Sequence, residues 1–281
     1  MSPTTYLHCD QEEPTSSGRI NTCRVSPLSL EELAEQSSWI EVKRRINDLM
    51  IYGCLPEVID KPSRAWEYLR DQADTLLYKD LLELAEIRKP ADLTKLTRFL
   101  AANVGSVIRA GSAARELGMQ NKTIERYVDL LARCSIITIV PSWSRNPAVE
   151  LKSSRKIYFC DNGIRNAILN NFTLLPTRKD KEALWENLYL SELRKRHAMR
   201  RDGAEMYFWR TRRQHEIDFI EVVNGTIAAF ECSAGGKTNS TCLKAFRRAY
   251  PNIPLTVASP DNIDQEPAEP VSRKTVLPII E

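Results

Sequence analysis

The run Glu216-Ile217-Asp218-Phe219-Ile220-Glu221-Val222-Val223-Asn224-Gly225-Thr226-Ile227-Ala228-Ala229-Phe230-Glu231-Cys232-Ser233 carries the sharpest chemical signal in the chain. Two β-type stretches flank Asn224-Gly225, and a two-residue type I′ turn needs φ > 0 at both central positions, which Asn and Gly tolerate. With these two in the turn, Val223 faces Thr226 and pairing steps outward one residue at a time. Asp218 then stands opposite Glu231, and Glu216 opposite Ser233. Period-two alternation puts Ile220, Val222, Ile227 and Ala229 on the same face as the carboxylate pair. Like charges directly across a sheet repel. At the edge of an apolar surface, two carboxylates call for a shared proton or a cation between them. Mg²⁺ is the candidate cation, with Asp218 and Glu231 as its ligands. A solvated strand end, where repulsion costs only about a few tenths of a kcal/mol, is the plain alternative.

Other chemistries have less support. The histidines His8, His197 and His215 and the seven scattered cysteines show no metal-ligand spacing and no C-x-x-C pair, so neither a structural zinc site nor a disulfide framework is expected. No G-x-x-x-x-G-K-[ST] phosphate loop occurs. Glu231-Cys232-Ser233-Ala234-Gly235-Gly236-Lys237-Thr238 ends like one but begins with a carboxylate where the tight turn needs glycine, so no nucleotide site is expected.

A basic cluster is more informative. Arg194, Lys195, Arg196, Arg200, Arg201, Arg210, Arg212 and Arg213 face only Glu192, Asp202 and Glu205, while the whole chain carries a net charge of +3. With Tyr207, Phe208 and Trp209 interleaved, this composition suits a phosphate backbone. A solvated helix end balanced by acids elsewhere would look the same.

The elements that must hold these residues follow from periodicity. At 281 residues the chain is long enough for about two domains. Its 42% hydrophobic and 27% charged residues are those of a protein with a real core. No apolar run approaches the ~20 residues of a membrane span, and no apolar signal segment opens the chain, so a cytoplasmic location is expected.

Residues 1–25 are polar and aperiodic and read as disordered. Residues 26–88 read as helical: Ser29 and Glu32 form a capping box. Trp66, Leu69, Ala73, Leu76, Leu77, Leu81 and Leu84 mark one helix face. Tyr52-Gly53-Cys54-Leu55-Pro56 reads as a turn.

Residues 89–160 contain three short helices, from Asp92, from Ser112 and from an N-capping Asn121, followed by strands at 136–140 and 156–159. This pattern reads as a winged helix-turn-helix. Its third helix turns Ile124, Tyr127, Val128 and Leu131 inward and offers Lys122 and Arg126 to phosphates or base edges. Arg145, Lys152, Arg155 and Lys156 stand on the wing as further cations. Residues 161–259 alternate helix and strand as a mixed α/β domain: a helix over 182–196, a strand over 206–210, the hairpin, a helix over 240–250 and a strand over 254–258. Residues 260–281 form a tail.

An Asp on the first hairpin strand, then Glu-x-Lys on the second, with a further Glu on a preceding helix, is the core of the PD-(D/E)xK nucleases. Asp218, Glu231 and Glu186 resemble that set. Phe208-Trp209-Arg210, Glu216-Ile217-Asp218-Phe219 and Phe230-Glu231 resemble the C-terminal domain of unknown function in a family of prokaryotic AAA-type P-loop ATPases. Pro27-Leu28-Ser29-Leu30-Glu31-Glu32-Leu33, Tyr52-Gly53-Cys54-Leu55-Pro56-Glu57-Val58, Tyr78-Lys79-Asp80-Leu81, Thr123 and Tyr127 are similar to earlier parts of the same family. The resemblance covers about 27–259 and implies an α+β fold: a helical winged helix-turn-helix region followed by a PD-(D/E)xK nuclease-like mixed α/β domain, with residues 26–88 as the remnant of an ATPase lid or linker.

Two departures qualify it. Ser233 stands where the family has the lysine, which leaves the set Glu186, Asp218, Glu231 and Ser233 degenerate; Lys237 is the only nearby substitute in sequence. The family's ATPase core should precede 27, and with only 26 residues before it that core is not expected within this sequence. The expectation is therefore a non-catalytic module that binds nucleic acid or a partner protein, with an ATPase core or a toxin-antitoxin-like protein as the partner the resemblance implies. A Mg²⁺-dependent DNA nuclease and a truncated remnant of an ATP-binding protein are the alternatives.

Overall fold

The computed structural model describes residues 26–75, 87, 89–143, 154–236, 238–265 and 271–272. The expectations for residues 1–25, for Leu76 to Leu84, for Arg145 and Lys152 and for Lys237 fall outside them. Among the described residues no helix is long and apolar enough to cross a membrane.

The chain is a mixed α+β protein. Its first part is helical: α1 (Leu30–Gln36), α2 (Trp39–Tyr52), α3 (Pro56–Asp60) and α4 (Ala65–Thr75). Ser29 and Glu32 close the expected capping box, with Glu32 N–H to Ser29 Oγ at 3.1 Å and Ser29 N–H to Glu32 Oε2 at 2.7 Å. On α4 the buried face is Ala65, Leu69 and Ala73, spaced by four. Trp66, expected on that face, sits one residue off it, is 44% exposed and carries Arg70 5.6 Å from its ring centroid.

Next come α5 (Pro90–Ala102), β1 (Val107–Ile108), α6 (Ala110–Leu117), α7 (Asn121–Arg133), β2 (Ile137–Pro141) and β3 (Arg155–Phe159). The three strands form an antiparallel sheet in the order β1-β3-β2. Asn121 is the first residue of α7, not its cap; Gln120 precedes it and makes no side-chain capping bond.

Helix α8 (Asn162–Leu169) packs on α2, α4 and α5. Asp161 caps it and also accepts the Cys54 N–H at 2.7 Å, which ties the 52–56 turn to the start of α8.

Beyond the loop at 170–180 come α9 (Lys181–Arg200), β4 (Glu205–Arg210), β5 (Glu216–Val223), β6 (Thr226–Cys232), α10 (Ser240–Ala249), β7 (Leu255–Ala258) and β8 (Val271–Ser272). The sheet order is β4-β5-β6-β7; β7 lies parallel to β6, and β8 pairs antiparallel with β6. Asn224 (φ 48°) and Gly225 (φ 79°) adopt the left-handed conformations the turn requires, and the register runs from Val223↔Thr226 to Phe219↔Phe230.

A large core joins the helices to one face of this sheet through Trp185, Tyr189, Phe219 and Phe230. A smaller one, with Ile220, Val222, Ile227, Ala229 and Phe246, lies under α10 on the other face. Trp143 joins the small sheet to this second core: its backbone N–H donates to Phe208 O at 2.6 Å, and its ring meets Tyr250 edge-on with 4.9 Å between centroids.

Of the described cysteines, Cys54, Cys160, Cys232 and Cys242 are free thiols.

Candidate functional site

Helix α9 is fixed at two points around Glu186. On one side the Trp185 indole N–H donates to Ala258 O on β7 at 3.0 Å. On the other, the Asn187 amide closes a two-way bridge with β3, accepting the Phe159 N–H at 2.7 Å and donating to Phe159 O at 3.0 Å. Glu186, between these anchors, points into the gap between β3 and the large sheet.

Strand β5 supplies the other acids through a bulge. The β4–β5 register shifts by one residue between Tyr207↔Ile220 and Trp209↔Ile217. Such a shift breaks alternation: Ile217 and Ile220 lie in the second core, whereas Phe219 lies in the first. This corrects the expectation that Asp218 shares a face with Ile220 and Val222; the bulge turns Asp218 toward α9. The hairpin ladder also ends at Phe219↔Phe230. One step further, the Cys232 N–H donates to Asp218 Oδ2 at 2.9 Å. Ser233, fully buried, donates its backbone N–H to Ala258 O at 2.9 Å, toward β7, beyond the end of the β5–β6 ladder.

The cation at this centre is Lys156. Its Nζ lies 2.7 Å from Glu216 Oε1, 2.8 Å from Glu186 Oε1 and 3.3 Å from Asp218 Oδ1, with the side chain only 1% exposed. The Tyr158 hydroxyl, two residues along the same strand, donates to Glu186 Oε1. The sequence pattern places Lys156 among solvent-facing wing cations, and the structure corrects this. Of the wing residues described, only Arg155 keeps a surface role, 3.8 Å from Glu125. Lys156 and Tyr158 share a face of β3 by alternation, two polar groups on a buried strand. That oddity is the one signal in sequence, and it names no partner.

Glu231 completes the group. It receives the Asp218 backbone N–H, but its Oε2 is enclosed without a hydrogen-bond partner among the described residues. Burial first, then the Asp218 charge, pushes Glu186 and Glu231 up to about 8. Lys156 and Tyr158 both donate to Glu186 and favour its ionised form, whereas no described donor reaches Glu231 Oε2. Hydrogen bonding thus favours an ionised Glu186 over an ionised Glu231. Burial opposes the charge on Lys156, but Glu186, Asp218 and Glu216 overcome it and hold the ammonium well above the ordinary lysine range.

The sign of the pH effect follows. Folding raises the Glu231 pKa from 4.5 to about 8, so the stability it contributes is complete below pH 4.5 and is lost as pH rises through about 8. Thermal melts from pH 5 to 8.5 should show the wild type losing about 1–2 kcal/mol more than Glu231→Gln, after discounting for partial exposure. Parallel melting curves for the two proteins would place the proton elsewhere.

A divalent metal does not fit these residues. The ammonium fills the space between the carboxylates, and the second Asp218 oxygen is taken by the Cys232 N–H. Among the described residues no group of three or more His, Cys, Asp or Glu side chains is arranged to hold a metal. Asp218, expected with Glu231 as a Mg²⁺ ligand, has a lysine as its counter-ion.

The basic cluster is divided. Lys195 is buried, 2.6 Å from Glu192 and 2.8 Å from Leu28 O. Arg196 and Arg200 line a cleft of about 340 Å³ shared with Glu192, Asp202 and Glu221. Arg194 donates to Thr138 Oγ1 and, with Arg201, borders a second cleft. His197 bridges Asp202 and Glu221 at 2.8 Å each; burial opposes its charge, but the two carboxylates raise its pKa. Arg210, 3.3 Å from Glu216, and the exposed Arg212 and Arg213 lie at the opposite end of β4, beside the carboxylate centre. Six residues of strand, roughly 17–20 Å, separate the two groups. On α7, Ile124, Tyr127, Val128 and Leu131 are buried, and Lys122, Glu125, Arg126 and Asp129 are exposed.

Residues 43–175 match a family profile described as a domain of unknown function (DUF8612), and residues 181–279 match a second domain of unknown function (DUF4143). An uncharacterized protein of Mycobacterium tuberculosis is 25% identical over 221 residues, covering 76% of this chain and 47% of that protein. An uncharacterized protein of Methanocaldococcus jannaschii is 24% identical over 223 residues, covering 76% and 48%. One of Haemophilus influenzae is 26% identical over 160 residues, covering 53% and 40%. The chain thus spans about half the length, or less, of the curated relatives it matches. No solved structure matches it.

Proposed function

We propose that this chain is a non-catalytic module that binds nucleic acid or a partner protein and is related to the C-terminal part of AAA-type ATPases. The observation that carries the reading is helix α7. Its whole apolar face is buried, which leaves Lys122 and Arg126 one turn apart on the solvent side near its N-terminus. The order helix–strand–helix–helix–strand–strand, with β1-β3-β2 pairing, supports reading 90–159 as a winged helix. The gathering of Glu186, Asp218 and Glu231 on α9, β5 and β6 supports a nuclease-like ancestry, and the buried Ser233 supports loss of the catalysis. Relatives of about twice the length support a partner such as an ATPase core, on the same chain or on another.

Fluorescence anisotropy on a labelled DNA duplex over a salt series tests the nucleic-acid half. Binding should weaken steeply with salt. Lys122→Ala/Arg126→Ala and Arg212→Ala/Arg213→Ala should each lower the log–log slope by about 2, at ~0.9 for each phosphate no longer neutralised. Absent or salt-independent binding removes that half of the reading. The nuclease alternative is favoured by one observation, a lysine within 3.3 Å of Asp218 despite Ser233. Plasmid incubated with Mg²⁺ or Mn²⁺, with Asp218→Ala as control, decides it; equal cleavage by both proteins is contamination.

A further inference from the structure

We propose that Lys156 is a tethered cation that fills the carboxylate centre in place of a divalent metal and latches β3 to α9 and β5. The inference rests on the non-catalytic half of the reading above and is independent of DNA binding. An ammonium has three donors, and here three carboxylates, Glu186, Glu216 and Asp218, stand 2.7–3.3 Å from it. The second oxygens of two of them are committed as well, Asp218 Oδ2 to the Cys232 N–H and Glu216 Oε2 to Arg210 at 3.3 Å, while Tyr158 donates to the same Glu186 oxygen as Lys156.

The lysine is also held in advance. β3 is the central strand of its sheet, with Lys156 paired to Val107 on one side and Val140 on the other. Three residues along the strand, Phe159 is clamped by Asn187 of α9. The Nζ lies 5.6 Å from the Phe208 ring centroid. A divalent ion would have to shed water and expel a covalently tethered ammonium whose acceptors are already placed. Mg²⁺ dehydrates reluctantly and demands near-octahedral oxygen geometry, which makes the exchange unfavourable. The latch also joins the two separately matched regions, since Lys156 lies in 43–175 and its three acceptors in 181–279.

The test is Mn²⁺ titration of the full chain by calorimetry, with melting temperature in Mn²⁺ against chelator as a second readout. The wild type should show no Mn²⁺-dependent shift, and Lys156→Met should bind Mn²⁺ at least ~10-fold more tightly than the wild type. Wild-type binding that Asp218→Asn abolishes overturns the proposal, as does a folded Lys156→Met with no gain. If Lys156→Met does not fold, Lys156→Met/Glu216→Gln keeps Glu186 and Asp218 with one charge fewer. The gain must then appear in it, and wild-type affinity in the folded double variant overturns the proposal equally. DNA anisotropy of the same samples reads the binding hypothesis separately.

Discussion

Lys156→Met should lower the unfolding free energy by about 3–5 kcal/mol, because it leaves Glu186, Glu216 and Asp218 clustered without their cation. Methionine matches the length of the lysine stem and keeps the packing on Phe208, so the loss reports charge and not volume. The carboxylates can answer by taking up protons, which makes the penalty larger near pH 8 than near pH 5. Lys156→Met/Glu186→Gln should recover part of the loss, since it removes one of the unpaired charges. Urea unfolding at the two pH values measures all of this. A loss below about 1 kcal/mol at both would mean that water screens the centre, and the ion cluster would then be of the weak surface kind.

Gly163→Ala should cost about 3 kcal/mol or more and lower the melting temperature by roughly 6–12 °C. A Cβ at Gly163 would stand 2.1 Å from Tyr52 O and 2.8 Å from Leu69 Cδ2. The backbone at Tyr52 has no room to yield. Ile51 O accepts the Asn166 amide at 2.7 Å, Cys54 N–H bonds Asp161 at 2.7 Å, and Cys54 O accepts the Leu28 N–H at 2.9 Å. Gly53→Ala should be at least as damaging: φ there is +74° and a Cβ would fall 2.0 Å from Asp161 Oδ1. Gly118→Ala is the control. Its φ of +68° carries the left-handed penalty of about 1–2 kcal/mol, but among the described residues nothing lies within 4 Å of the added carbon. Equal losses at Gly163 and Gly118 would show that close approach of α2 and α8 is not what Gly163 serves.

Much of the local structure is legible in the sequence because it depends on neighbours along the chain. The Ser29–Glu32 box, the Asn224-Gly225 turn with its five-pair register and the buried face of α7 each follow from spacing over a few residues. Sequence pattern misleads where packing or a distant strand intervenes. Periodicity turns Trp66 inward, although the Ala65–Leu69–Ala73 stripe excludes it. Alternation puts Asp218 on the wrong face because the bulge that turns it arises from pairing with β4, and no pattern within β5 announces it. The eight basic residues look like one patch only while proximity in sequence stands for proximity in space; a buried pair at Lys195 and the length of β4 divide them.

By itself the sequence determined which residues form the hairpin, which carboxylates it carries, and that the lysine expected at 233 is a serine. Those are matters of composition and short-range geometry. Only the tertiary structure decided what neutralises the acids. The cation comes from Lys156, 30 residues before Glu186 and 62 before Asp218, on a strand of a different sheet. The reason is electrostatic: carboxylates buried beside Trp185, Tyr158 and Phe219 need a compensating charge within hydrogen-bond reach. Which residue supplies it is fixed by how two sheets and α9 pack, a choice that periodicity along any one strand does not encode.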